Sequence, residues 1–155
     1  HIKTNWNFEE IKLNIENNEK HFLVYLNEYL LSKEQKLKFK IDESLNIEHI
    51  MPQSGRNNKA IQIDANISDI EEFESLVNKL GNKILLEENV NKSLGQEWFK
   101  SKCQNSVKEK RGYKDSQFPM ANQIVKLNKN TWQKDDILQY TDIAAKRIAD
   151  FIFNN

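Results

Sequence analysis

A helix over residues 68–80 is the sequence feature that most constrains the fold of this chain. Ser68 and Glu71 have the spacing of a capping box, in which two side chains satisfy free backbone N–H groups at a helix start. Apolar residues then recur at helical spacing, at Ile70, Phe73, Val77 and Leu80. Gly81 follows, and glycine is typical of a helix end. The segments on either side of this helix are therefore separate elements.

Short segments flanking that helix predict a small sheet. Residues 82–86 are an apolar run that can pair with the extended segment ending at His49. Before that segment, residues 36–41 alternate between lysine and apolar side chains, which predicts a half-buried strand. Asn89 is a good helix cap, and apolar spacing after it predicts a helix over residues 90–108. The predicted local order is strand, strand, helix.

Most of the remaining chain predicts helices. Residues 8–18 form an amphipathic segment, and residues 22–31 are apolar enough for a buried helix. A short helix starts near Pro119 and a long one follows Trp132, whereas residues 53–66 predict a loop. We therefore expect one α+β domain over residues 1–155, mostly helical around a two-stranded antiparallel hairpin. Its expected parts are a helical pair (1–35), a core (36–108) and a helical flank (109–155).

Charge and composition narrow the class of protein. The 23 basic and 23 acidic residues cancel, so attraction to nucleic acid must be local. Between residues 100 and 114, six basic residues stand against one acid, either as a solvated surface or as a nucleic-acid contact. The candidate contacts are Lys100, Lys102, Lys108 and Arg111. The single Cys103 and the lack of an apolar run of about 20 residues favour a cytoplasmic protein without membrane contact.

Glu48 and His49 are the first candidates for a catalytic site. Neighbouring side chains of a regular strand point to opposite faces, but Pro52 ends regular pairing and allows both to reach one site. Histidine suits a base that takes a proton from water, because its ordinary pKa lies near neutrality. Oxygen ligands from Glu48 and an asparagine suit Mg²⁺, which keeps several waters. These residue types predict metal-assisted phosphodiester hydrolysis.

Two asparagines are further candidates for the catalytic site. Asn91 falls in the first turn of a predicted helix, whose N-terminus favours anions, so it could bring a metal ligand close to a phosphate. An asparagine there is also a common helix cap, and Asn89 competes for either role. Asn82 follows Gly81 and is also consistent with an ordinary turn.

The order of these residues resembles a known nuclease family. Glu48-His49-Ile50-Met51-Pro52 resembles the first motif of HNH, or His-Me finger, nucleases, and Asn82 with Asn91 nine positions later resembles their second and third motifs. The chain is more closely similar to the GmrSD-type restriction endonuclease C-terminal domain over roughly residues 20–152. Further matching residues are Phe99, Lys102, Tyr113, Ser116, Trp132, Ile137 and Arg147.

The resemblance implies a ββα-metal (HNH-like) core and a role for each matching residue. His49 would be the general base, and Glu48 and Asn91 would hold Mg²⁺ or another divalent cation such as Mn²⁺. Asn82 would belong to the catalytic motif as the residue that braces the histidine loop. Lys102 would lie on the following helix and contact phosphate, with a solvated helix face as the alternative.

The resemblance also implies a biological setting. The expected activity is cleavage or nicking of DNA, including modified phage DNA, by a bacterial or archaeal restriction or antiphage defence protein. An N-terminal ParB-like NTPase domain, in the same chain or a partner chain, is the expected companion. Two alternatives stay open, namely a catalytically silent DNA-binding module with the same fold and a helical protein-interaction domain.

Overall fold

In the described part of the chain, helices surround one small sheet. The structure is a computed structural model and describes residues 21–39, 45–94, 98–104 and 111–154. The described elements are α1 (Phe22–Gln35), β1 (Leu45–His49), α2 (Asn58–Asp64), α3 (Ile70–Val77), β2 (Lys83–Glu87), α4 (Glu88–Leu94), α5 (Phe99–Gln104), α6 (Pro119–Leu127) and α7 (Lys134–Phe153), with 3₁₀ turns at Leu80–Asn82 and Tyr113–Asp115. The helix predicted over residues 8–18 lies outside the described residues.

The two strands pair antiparallel, as the sequence predicted. His49 at the end of β1 lies opposite Lys83 at the start of β2, and Leu45 lies opposite Glu87. The helix α4 follows β2 directly. A mostly helical chain with a two-stranded antiparallel sheet confirms the predicted α+β class.

The strand β2 is covered on both faces. Ile84 and Leu86 are buried in the main core, which also takes side chains from α3, α4, α6 and α7. Leu85 points to the other face and is buried in a smaller cluster with Val24 and Tyr25 of α1. Successive side chains of a strand alternate between faces, so burial on both sides explains why residues 84–86 are a continuous apolar run.

The helix predicted over residues 68–80 is present but shorter. Its cap is Asp69, whose Oδ1 accepts a hydrogen bond from the Glu72 N–H at 2.7 Å. Oε1 of Glu72 accepts a hydrogen bond from the N–H of Ser68, the residue before the cap, so Asp69 caps this helix instead of the predicted Ser68. The helix ends at Val77, and Gly81 lies in the 3₁₀ turn beyond it rather than at the helix end.

Gly81 is where that turn meets α7. Its N–H donates to Oγ1 of Thr141 at 2.8 Å, and its carbonyl accepts from Nε1 of Trp132 at 3.1 Å. A Cβ atom at this position would lie 2.0 Å from the carbonyl oxygen of Ile137. Glycine is therefore required here for close packing of the turn against α7.

Three local predictions need correction. Residues 53–66 contain the helix α2 rather than only a loop, because Ile61 and Ala65 are buried in the main core and stabilise a locally polar segment. Of the predicted strand at residues 36–41, the described part forms no strand, and Phe39 instead packs edge-on against Phe118. The predicted helix over residues 90–108 is found as the two helices α4 and α5.

Glu28 joins three elements inside the fold. This residue of α1 is 0% exposed, and its two carboxyl oxygens accept hydrogen bonds from the N–H groups of Leu85 in β2 and Met120 in α6. Burial raises the pKa of Glu28 to about 8. The side chain therefore links α1 to the sheet and to the start of α6.

Over the described ranges, no helix has an apolar stretch long enough to span a membrane.

Candidate active site

An open pocket of about 440 Å³ lies where β1 ends. Glu48 and His49 of β1, Asn91 of α4 and Lys102 of α5 all line it. The other lining residues are Ile47, Pro52, Gln53, Ser54 and Lys92. The hairpin and the two helices after it thus bring predicted site residues from distant parts of the chain to one cavity.

His49 is the last residue of β1 and is half-buried. Its Nε2 lies 3.0 Å from Oδ1 of Asn78, the residue that follows α3. An amide oxygen only accepts, so Nε2 carries the proton in this arrangement and Nδ1 is the basic nitrogen. Burial lowers the pKa of His49 below its usual 6.5, while the contact with Asn78 acts in the opposite direction. The ring is therefore neutral near pH 7.

Glu48 is buried and held by two side chains. Its Oε2 accepts a hydrogen bond from the Tyr113 hydroxyl at 2.7 Å and forms an ion pair with Lys102 at 2.8 Å. Burial and the neighbouring Glu48 carboxylate raise the pKa of Tyr113 well above its usual value, so the hydroxyl remains a donor. Among the described residues, none donates a hydrogen bond to Oε1 of Glu48. One carboxylate oxygen is thus held in place and the other remains for a ligand.

Lys102 is 1% exposed, so it does not lie on a solvated helix face. Besides its ion pair with Glu48, its Nζ donates to the carbonyl oxygens of His49 at 3.0 Å and Ile50 at 3.1 Å. Three acceptors engage the three N–H donors of an ammonium group. No donor is left for a phosphate in this arrangement, and the contacts instead tie the chain after β1 to α5. These contacts give Lys102 a positioning role, and its predicted contact with phosphate stays a prediction.

Asn82 is 0% exposed and clamps the chain that follows His49. Its Oδ1 accepts from the N–H of Met51 at 2.8 Å, and its Nδ2 donates to the carbonyl oxygens of Met51 at 3.0 Å and Val77 at 2.9 Å. These bonds hold the segment after His49 against the end of α3. A part in the chemistry itself stays a prediction.

Asn91 is half-buried in α4 and lines the pocket. The helix begins at Glu88, two residues before its predicted start, so Asn91 is its fourth residue. Asn89 is exposed and does not line this pocket, and the role of Asn91 as a metal ligand stays a prediction. Lys92 also borders the pocket and pairs with Glu88 at 2.8 Å.

The predicted nucleic-acid contacts other than Lys102 are only partly described. Lys100 is exposed on α5, and Arg111 is exposed before the second 3₁₀ turn. Lys108 lies outside the described residues. Contact of these three residues with DNA stays a prediction.

Sequence reasoning gave no role to three residues that contact or flank the site. Asn78 and Tyr113 reach His49 and Glu48 only through the tertiary fold, since 29 and 65 positions separate the partners, respectively. Lys83 lies opposite His49 in the hairpin and contributes to the lowered pKa of His49. The predicted pairing of the two strands was the signal that could have identified Lys83, because cross-strand neighbours share a face.

The pocket offers few side-chain ligands for a divalent cation. In the described ranges, no three His, Cys, Asp or Glu side chains are grouped closely enough to hold a metal ion. Glu48 and Asn91 nevertheless offer oxygen ligands to one pocket, and Mg²⁺ usually takes few protein ligands and keeps its waters. The residues therefore fit a hydrated Mg²⁺, although the ammonium of Lys102 opposes a second cation beside Glu48.

The chain matches the family model for the C-terminal domain of GmrSD restriction endonucleases over residues 2–146. It belongs to this family, which confirms the resemblance found in the sequence. Membership in a family of restriction endonucleases supports a nuclease-related function with DNA as substrate. No curated protein and no solved structure matches the chain.

Proposed function

We propose that this domain is a metal-dependent DNA endonuclease or nickase whose site is the pocket at the end of β1. The observation that carries the proposal is the shared pocket of His49, Glu48 and Asn91 in a chain of a restriction endonuclease family. The β1, β2 and α4 elements, with these side chains, correspond in this proposal to the ββα-metal core of HNH nucleases.

His49 is the general base in this proposal. Its Nε2 is engaged by Asn78, so Nδ1 takes the proton from the water that attacks the phosphorus. The lowered pKa of His49 keeps the ring neutral and able to accept that proton at neutral pH. Asn82 and Lys102 hold the backbone on either side of Ile50, and with it the backbone of His49.

Glu48 and Asn91 are the proposed metal ligands. Bound Mg²⁺, or Mn²⁺ in its place, would supply positive charge at the phosphate and at the leaving oxygen. Tyr113 and Lys102 both contact Oε2 of Glu48, so they orient the carboxylate while Oε1 remains for coordination.

The biological setting is proposed from the family. The domain would act on DNA, including modified phage DNA, as the effector of a restriction or antiphage defence system in the cytoplasm. An N-terminal ParB-like NTPase domain would accompany it, in the same chain or a partner chain.

A supercoiled-plasmid assay tests the proposed metal dependence. We expect the protein to nick or linearise the plasmid with Mg²⁺ and to leave it intact with EDTA. Glu48→Gln and Asn91→Ala should each require more Mg²⁺ for half-maximal cleavage, while Asn130→Ala, an exposed change outside the site, should not. Equal cleavage with Mg²⁺ and with excess EDTA would contradict the proposal.

A DNA-binding module without cleavage is the second candidate. The ion pair between Glu48 and Lys102 favours it, because the ammonium already neutralises the carboxylate that a cation would need. In that case the protein should bind DNA in a salt-sensitive manner and leave the plasmid intact at every Mg²⁺ concentration.

A further inference from the structure

Asn78 contacts His49, the proposed base, but does not belong to the sequence motifs that identify the site. It follows α3, and its Oδ1 lies 3.0 Å from Nε2 of His49, which is 29 positions earlier in the chain. Its backbone has φ −103° and ψ 10°, an ordinary conformation that alanine also adopts. The side chain of Asn78 is exposed, and its one hydrogen bond to a described residue is the bond to His49.

The backbone of His49 is held without help from Asn78. Nζ of Lys102 donates to the carbonyl oxygen of His49, and the N–H of Ile50 donates to the carbonyl oxygen of Asn82 at 2.9 Å. These contacts leave rotation of the imidazole about its side-chain bonds undetermined. The bond to Asn78 is the one hydrogen bond that the imidazole makes to a described residue, and it favours one rotation of the ring.

The same contact selects one tautomer. A neutral imidazole carries its proton on either nitrogen, and the nitrogen without the proton is the one that can act as a base. The oxygen of Asn78 has no proton to donate, so it stabilises the form protonated at Nε2. The lone pair is then placed on Nδ1.

We propose that Asn78 is a positioning residue that fixes the ring orientation and the Nε2-protonated tautomer of His49. The contact itself is independent of the reaction, whereas its catalytic consequence rests on the proposed function of His49 as the base. Asn78 does not touch the reacting atoms, and its effect on cleavage passes through the imidazole alone.

Nitrogen NMR of the full chain tests the contact without any activity measurement. The ring ¹⁵N signals of His49, identified by their loss in His49→Ala, should show a single Nε2-protonated form at a pH where the ring is neutral. Asn78→Ala should give a mixture of the two tautomers. Asn78→Asp should restore the single form, because a carboxylate oxygen also accepts from Nε2. A ring protonated at Nδ1 in the unmodified protein, or identical tautomer populations in Asn78→Ala, would overturn the proposal.

Cleavage kinetics test the catalytic consequence. We expect Asn78→Ala to lower kcat about tenfold or more, with little change in KM for DNA, since only proton transfer is affected. Asn78→Asp should recover most of kcat, and Asn130→Ala should match the unmodified protein. If the unmodified protein cleaves no DNA, the proposed function fails while the NMR result still decides the contact. An unchanged kcat in an active Asn78→Ala would overturn the positioning role.

Discussion

Glu48 and His49 are neighbours in the chain, yet their surroundings differ. Glu48 is buried between Tyr113 and Lys102, whereas His49 is half-buried beside the exposed Asn78. The motif residues could be found from the sequence because their spacing along the chain is local. Asn78, the contact of Tyr113 with Glu48 and the burial of Lys102 could not, because only the folded chain brings these side chains to the site.

At the residue scale, Lys102→Met tests the positioning role of the buried ammonium. The change leaves the buried Glu48 carboxylate without its cation and two carbonyl oxygens without a donor. We expect a loss of about 3–5 kcal/mol in the free energy of unfolding, measured by urea denaturation.

Lys100→Met is the matched control, because Lys100 lies on the same helix but is exposed. It should change the free energy of unfolding by no more than about 0.5 kcal/mol. Equal effects of the two changes would show that the contacts of Lys102 do not contribute to stability.

At the scale of elements, the turn between α3 and β2 positions the site. Asn82 of this turn holds Met51, and Gly81 packs the turn against α7. Local signals predicted a helix before the turn and a strand after it, but capping and apolar spacing do not reveal contact with a helix that lies 60 positions away. For the same reason α2 was missed, since its stability comes from burial of Ile61 and Ala65 in the core.

Gly81→Ala should destabilise the fold at that contact. The added Cβ would overlap the carbonyl oxygen of Ile137 and lie 2.7 Å from the backbone nitrogen of Thr141, so two backbones must move apart. Overpacking of this kind costs about 1–3 kcal/mol or more, which thermal or urea unfolding will detect.

Glu74→Ala, an exposed change in the neighbouring helix α3, serves as control and should have little effect. A Gly81→Ala variant as stable as this control would show that the turn does not pack closely against α7.

For the whole molecule, Glu28 connects α1 to the sheet and to α6. Its surroundings include Glu87 of β2, which raises its pKa further, and Arg147 of α7, which lowers it. The α+β class and the pairing of the strands followed from hydrophobic periodicity. A buried carboxyl that joins three elements leaves no such pattern, because its partners are backbone N–H groups of distant segments.

Glu28 makes stability depend on pH. The pKa of its carboxyl is about 8 in the folded chain against an ordinary value of 4.5, so between these values the folded state keeps a proton that the unfolded state has lost. The contribution of Glu28 to stability is therefore present below about pH 4.5 and declines as pH rises to about 8. Urea denaturation across this range should show a decline in the unmodified protein relative to Glu28→Gln. Parallel pH profiles of the two proteins would contradict the raised pKa.

His49 is the proposed base of a DNA-cleaving site, and its removal should stop cleavage. The most direct measurement compares plasmid cleavage in Mg²⁺ by the unmodified protein and by His49→Ala, with DNA binding measured on the same samples. We expect cleavage to fall by at least about 100-fold in His49→Ala, because general-base catalysis supplies a factor of this size. DNA affinity should stay largely intact. Cleavage by His49→Ala at the rate of the unmodified protein would contradict the account.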